Sequence, residues 1–287
     1  MQPLVEDGVR PPGVAGFFYP SSAERLRAVV GDYIGSTASP GTRPRALVAP
    51  HAGYDYSGAV AGKAFAAAAG MDWDAVVVVG PSHLESFPGV SLFPGVAYRT
   101  PLGLCPLDTG FAENLLQRAS TAIRSVLNGH WREGDPRQEH ALEVELPFLQ
   151  SMLSSEPRIV PLVMGEQSWD TVEELGGALA DAVSAMPDPE RVLMVASSDL
   201  SHFHADTTAE ALDRATLDAV EAFDPHGLHR ALRSGQAEAC GGGAIAAVQI
   251  AAQRLGASRA KTITYAHSGH VSGDRTAVVG YGAVLIH

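Results

Sequence analysis

The sequence predicts a single α/β domain of three layers, with helices on both faces of a central sheet that is mostly parallel or mixed. Three observations carry that expectation. Short segments rich in Val, Ile or Leu alternate with longer segments of helical character, the pattern of layered α/β proteins. One of the short segments, AVVVVG at 75–80, is apolar at every position, as a strand covered on both faces must be. Neither a repeat nor a low-complexity tract divides residues 1–287, and the most linker-like stretch, GSTASPGTRP at 35–44, would leave only a short piece before it.

Taken in order, strands are expected at 45–49, 75–79, 158–164, 191–196, 260–266 and 276–286. Each is short and bounded by Gly, Pro or polar residues. GVSLFPGVAYRTPLG, at 89–103, adds a hairpin or edge strands. The first helix is the Ala-rich 57–69. The second, 139–153, reads EHALEVELPFLQSML, with apolar residues at helical spacing. A third, 168–186, starts behind Ser168 as N-cap, and a fourth, 206–222, starts after Asp206 or Thr207. Asp224 and Pro225 supply a cap and first-turn proline for 224–233. The last, 239–255, is apolar throughout and suits a central position.

Composition narrows the function classes. Hydrophobic residues make up 46% and charged residues 18%, enough apolar side chain for a sizeable core. The net charge of −12 and the absence of any Lys/Arg cluster argue against a nucleic-acid or anionic-membrane surface. MQPLVEDGVRPPG at the start has no apolar core of a signal peptide, and no run approaches the ~20 residues that cross a bilayer. Two cysteines, Cys105 and Cys240, are too few for a disulfide framework in a chain this long. A cytoplasmic protein with reduced thiols is expected.

Ligands of open α/β sheets collect beyond the carboxyl ends of the strands, and three strand ends here carry chemistry. One continues as Pro50-His51-Ala52-Gly53-Tyr54, with Tyr54 or Tyr56 shaping a pocket. Another continues as Gly80-Pro81-Ser82-His83, and a third as Ser197-Ser198-Asp199 with His202 and His204 behind it. A lone loop histidine is usually structural, but three at equivalent positions suit a metal, with His51 and His83 the best pair. Cys240, in AEACGGGAIAAV just before the apolar helix, is a candidate third ligand whose thiol pKa the helix N-terminus would lower. Its competing role is that of a small buried residue, and Glu238 or Asp199 is the carboxylate alternative. His140, Glu139, Glu143 and Glu145 do not fit a purely apolar inner helix face, and spacing alone assigns them nothing. Cys105 reads as structural, His130, His226, His229 and His287 as surface, and His267 or His270 as loop or pocket rim. No dinucleotide, phosphate-loop, GxSxG or HExxH motif is present.

Together VRPPGVAGFFYP, APHAGYDYSG, GPSH, YRTPLG, EHALEVELPFLQ, SSDLSHF and ACGGGAI, in this order over nearly the whole chain, resemble the Memo family. Prokaryotic members of that family are called AmmeMemoRadiSam system protein B. The resemblance implies a fold similar to the class III, LigB-type extradiol dioxygenases, which cleave catechol-like rings with non-haem Fe(II) on two histidines and a glutamate. It places the metal on His51 and His83, an acid/base histidine on His202, a pocket histidine on His140, and a cysteine, Cys240, where the dioxygenases use glutamate. Asp199 would orient His202. A thiolate is softer than a carboxylate, so Cu or Zn competes with Fe(II) as the metal. The implied activity is that of a non-haem iron oxidoreductase acting on a small substrate. A non-enzymatic redox or signalling protein that holds a peptide in its cleft, and a zinc hydrolase on the same ligands, are the competing readings. The family name implies a radical-SAM partner.

Overall fold

The computed structural model describes residues 6–35, 42–119, 121–153 and 158–287. Most of the linker-like stretch, 36–41, lies outside the described residues. The strands are β1 (Val9–Arg10), β2 (Ala46–Ala49), β3 (Ala75–Pro81), β4 (Val90–Leu92), β5 (Ala97–Thr100), β6 (Gly103–Pro106), β7 (Ile123–Ser125), β8 (Ile159–Met164), β9 (Val192–Ser197), β10 (His202–His204), β11 (Ala260–His267) and β12 (Val278–Ile286). The helices are α1 (Ala23–Ile34), α2 (Tyr54–Ala66), α3 (Thr109–Arg118), α4 (Leu146–Met152), α5 (Trp169–Ser184), α6 (Asp206–Glu221), α7 (Pro225–Arg233), α8 (Gly242–Arg254) and α9 (Gly269–Ser272).

Four parallel strands in the order β2-β9-β3-β8 form the centre of a large mixed sheet. Antiparallel β4 joins it on one side, and β12, flanked by β11 and β10, joins it on the other. The 89–103 segment divides between the two sheets. Val90–Leu92 enters the large one, while β5 and β6 form a hairpin beside β1.

Every residue of β3 is buried, as its unbroken apolar run requires. Successive side chains of a strand point to opposite faces, and the core divides accordingly. Ala46, Val48, Val77 and Val79 pack with α5 and α8 on one face. Leu47, Ala49, Val76 and Val78 pack with α1, α2 and α4 on the other. The three-layer α/β/α architecture read from the sequence is the one observed. Among the described residues, no helix is long and apolar enough to cross a membrane.

Three helices were not anticipated, the four-residue α9 and the two longer α1 and α3. In α1 the buried stripe narrows to Leu26 and Val30, behind the Ser22 cap. In α3 it is Phe111, Ala112 and Leu115, capped by the Asp108 carboxylate. The helix expected over 139–153 is instead a 3₁₀ turn at Glu143–Glu145 followed by α4. Its first residues are held in another conformation because the Glu139 carboxylate accepts the main-chain N–H groups of His140 and Ala141.

Candidate metal centre

Because β2, β9 and β3 are parallel, their carboxyl ends open on one edge of the sheet. His51 follows β2, Asp199 follows β9 and His83 follows β3. The strands of His51 and His83 are not neighbours, since β9 runs between them. The two rings nevertheless meet, with centroids 5.1 Å apart and planes nearly perpendicular.

Cys240 approaches from the loop before α8. Its Sγ lies 3.3 Å from Nε2 of His51 and 3.3 Å from the Asp199 amide nitrogen, which donates to it. His51, His83 and Cys240 each offer a ligand atom, all within 4.8 Å of one another. Nδ1 of His51 pairs with the Ser197 hydroxyl at 2.7 Å. Burial, then the imidazoles of His140, His83 and His202, hold His51 well below its ordinary pKa, in the neutral form a metal needs. Nδ1 of His83 donates to Glu139 Oε1 at 2.9 Å. Burial alone would lower the His83 pKa, but the Glu139 carboxylate outweighs it and raises it. Glu139 would likewise be raised by burial, yet the hydrogen bond and charge of His83 hold it at about 2. An ionised carboxylate behind a histidine is the usual support of a metal-ligand imidazole.

His83, Glu139 and His140 form a second trio within 4.8 Å. Oε1 of Glu139 already accepts from His83 Nδ1, His140 N and Ala141 N, at 2.9, 2.9 and 3.1 Å. Its lone pairs are taken, so this trio supports the first set instead of forming a second site.

The thiol departs from its sequence expectation. Burial, then the neighbouring Asp199, push the Cys240 pKa up, and these outweigh the amides of Asp199 and Gly241 that favour the thiolate. A metal entering here must displace the thiol proton.

The other sequence candidates fall around this set. His140 lies flat against His83, with centroids 4.6 Å apart and planes 19° apart, and meets Phe18 at 4.5 Å with the rings tilted by 35°. Burial takes its pKa down to about 4. His202 is half-buried, its ring bonded to the Leu200 carbonyl and its pKa lowered by burial. Asp199 does not orient His202. Its Oδ1 accepts the His51 amide at 2.8 Å, and it also takes the Ala52 amide, so it fixes the loop that carries His51. Burial raises its pKa to about 7. Glu238 is turned from the metal set, accepting the His202 amide and pairing with His204 Nε2, both at 2.8 Å. Between those histidines Phe203 is exposed and holds φ at 60°, a left-handed conformation that non-glycine residues rarely adopt. Tyr54 belongs to the core, its hydroxyl on the Val144 carbonyl, whereas Tyr56 is exposed.

Two histidines read as surface or rim are buried. His130 donates from Nε2 to the Ser91 carbonyl and accepts the Tyr98 hydroxyl at Nδ1. His267 ends β11 and is fully covered. Cys105 is buried, as a structural cysteine would be. His226 is exposed, while His229 donates to the Gln167 carbonyl.

Sequence reasoning gave no role to Arg10, Glu143, Glu145 or Ser197. Arg10 is buried, paired with Glu143, and donates to the main-chain carbonyls of Glu139 and His130 at 2.6 Å each. That pair anchors the segment that carries Glu139 and His140. The available signal was the acidic residues in apolar register in EHALEVE and the isolated arginine of VRPPG.

A family model described as Memo-like protein matches residues 10–285. A MEMO1 family protein of Methanosarcina acetivorans is 37% identical over 278 residues, covering 97% of this chain and 99% of that protein. Its counterpart in Nitrosopumilus maritimus is 32% identical over 282 residues, covering 96% and 98%. One from Ignicoccus hospitalis is 34% identical over 288 residues, again covering 96% and 98%.

Proposed function

The chain belongs to the Memo family, and from that premise we propose that it is a dioxygenase-like oxidoreductase whose ferrous iron is held by His51, His83 and Cys240. The observation that carries the reading is the convergence of two imidazoles and one thiol within 4.8 Å at the carboxyl edge of the sheet. The donors suit a metal. Both histidines have Nδ1 engaged behind them, by Ser197 and by Glu139, which leaves Nε2 for coordination. Bound there, the ion supplies Lewis acidity and one-electron redox chemistry toward a small substrate with adjacent hydroxyl or amino groups.

The chain's own residues do the rest. His202, neutral and half-buried, takes the substrate proton, because its bond to the Leu200 carbonyl occupies only one ring nitrogen. His140 and Phe18 offer an aromatic wall beside His83. Asp199 holds the His51 loop in place.

The thiolate supports a second reading, a copper or zinc centre on the same ligands, since soft sulfur favours those ions. Elemental analysis of protein purified without chelators separates the metals. Anaerobic loading with Fe(II), followed by oxygen uptake with a panel of catechols, tests the activity. His202→Ala is expected to keep the metal and lose roughly 10²–10⁴-fold in oxygen-dependent turnover. With Co(II) as probe, a sulfur-to-metal charge-transfer band is expected, and Cys240→Ser should abolish it. An unchanged Co(II) spectrum in that variant would remove Cys240 from the ligand set.

A further inference from the structure

We propose that Glu145 is a positioning residue which, as an uncharged carboxylic acid acting through Ser197, fixes the proton of His51 on Nδ1 and so turns Nε2 toward the metal. The inference deepens the metal reading and rests on it for the last step.

The argument is a count of hydrogens around one oxygen. Ser197 Oγ has three partners, the Ala141 carbonyl at 2.6 Å, His51 Nδ1 at 2.7 Å and Glu145 Oε1 at 2.8 Å. A hydroxyl has one hydrogen and two lone pairs. The carbonyl can only accept, so the Ser197 hydrogen must go to Ala141; otherwise two oxygens would face each other at 2.6 Å with no proton between them. His51 Nδ1 and Glu145 Oε1 must then both donate. His51 therefore carries its hydrogen on Nδ1, and Glu145 carries one on Oε1.

One independent feature agrees. Oε2 of Glu145 is buried without a hydrogen-bond partner, tolerable for the carbonyl oxygen of a neutral acid and costly for an ionised carboxylate. Nε2 of His51 faces the Cys240 thiol at 3.3 Å, a contact that either tautomer can make. Burial, with Asp199 nearby, also favours the neutral acid. The two ligand histidines are thus held by opposite devices, His83 by the ionised Glu139 directly and His51 by a neutral acid through a hydroxyl.

Three variants of the full chain, titrated with Co(II), test this. Glu145→Gln retains a donor toward Ser197 and is expected to leave Co(II) affinity unchanged. Glu145→Leu and Ser197→Ala remove the relay and should weaken binding roughly 10–100-fold. Two readouts need no metal and no disruptive variant. Histidine ¹⁵N NMR of wild type should show His51 protonated at Nδ1. The infrared difference between wild type and Glu145→Gln at neutral pH should contain the carbonyl band of a protonated carboxylic acid. Loss of affinity in Glu145→Gln equal to that in Glu145→Leu, or carboxylate bands alone in the difference spectrum, would overturn the proposal. If wild type takes no Co(II), the metal reading falls, while the NMR and infrared signals still decide the state of Glu145.

Discussion

Glu139 shows how much of the site depends on residues that touch neither metal nor substrate. Its two oxygens accept the ring and amide of His83 and the amides of His140 and Ala141. Glu139→Gln cannot reproduce this. An amide with its oxygen toward His83 Nδ1 turns its NH₂ group onto the His83 amide, and the clash of donors costs about 1–3 kcal/mol. The variant should therefore unfold at lower temperature in its metal-free form and bind Co(II) roughly 10–100-fold more weakly. Normal values in both measurements would reduce Glu139 to a spectator. His51, His83 and Cys240 could be singled out in the sequence because each stands where a strand ends or a glycine-rich helix begins. Glu139 and Glu145 could not, because their partners are 56 and 52 positions away and lie within reach only once β3, β9 and the 139–145 segment are packed together. The sole trace of them was acidic side chains in a register otherwise apolar.

Among the elements, the start of α8 is the one the site depends on most. The glycines after Cys240 allow a close approach, and what approaches is the protein itself. A Cβ on Gly241 would lie 2.4 Å from the Ser197 carbonyl oxygen at the end of β9. A Cβ on Gly242 would instead meet the tip of the Leu232 side chain at 2.3 Å. Strand backbone cannot yield and a leucine methyl can, so the two substitutions should differ. Gly241→Ala is expected to cost about 1–3 kcal/mol of overpacking, to push Cys240 away from His51 and to weaken the Co(II) charge-transfer band. Gly242→Ala should keep the band, and equal spectra in the two variants would contradict this packing argument. Strands proved readable because buried parallel strands are unbroken apolar runs, as in β3 and β8. The 139–153 segment misled because apolar spacing says nothing about side-chain carboxylates that claim main-chain amides before a helix can.

For the molecule as a whole, acid stability is a sum of buried groups that pull in opposite directions. His130 is held at about 3 by burial, with Arg10 adding to the effect, against an ordinary 6.5. Between those values the unfolded chain binds a proton that the folded chain refuses, so its contribution is complete above pH 6.5 and is lost as the pH falls toward 3. His140, lowered to about 4, and the buried His51 act in the same sense. Asp199, raised to about 7 from an ordinary 3.8, acts in the other. Its contribution is complete below pH 3.8 and is lost as the pH rises through 7, and Glu145 and His83, also raised, share that direction. The metal-free protein should therefore show a shallow stability profile between pH 5 and 7 that conceals steep individual terms. His130 is the one to isolate, since it lies among Arg10, Tyr98 and Ser91, away from the metal ligands. In His130→Gln the amide can still donate to the Ser91 carbonyl, but nothing titrates. At pH 7.5 the variant should be the less stable protein. On going to pH 5 the gap should close by about 2 kcal/mol, one proton over the 1.5 pH units below the ordinary histidine value. Denaturant midpoints of chelator-treated wild type and variant at the two pH values measure this directly. A gap that stayed constant would mean that His130 takes its proton in the folded protein as readily as in the unfolded chain, and that the cavity closed by Arg10 and Tyr98 tolerates an imidazolium.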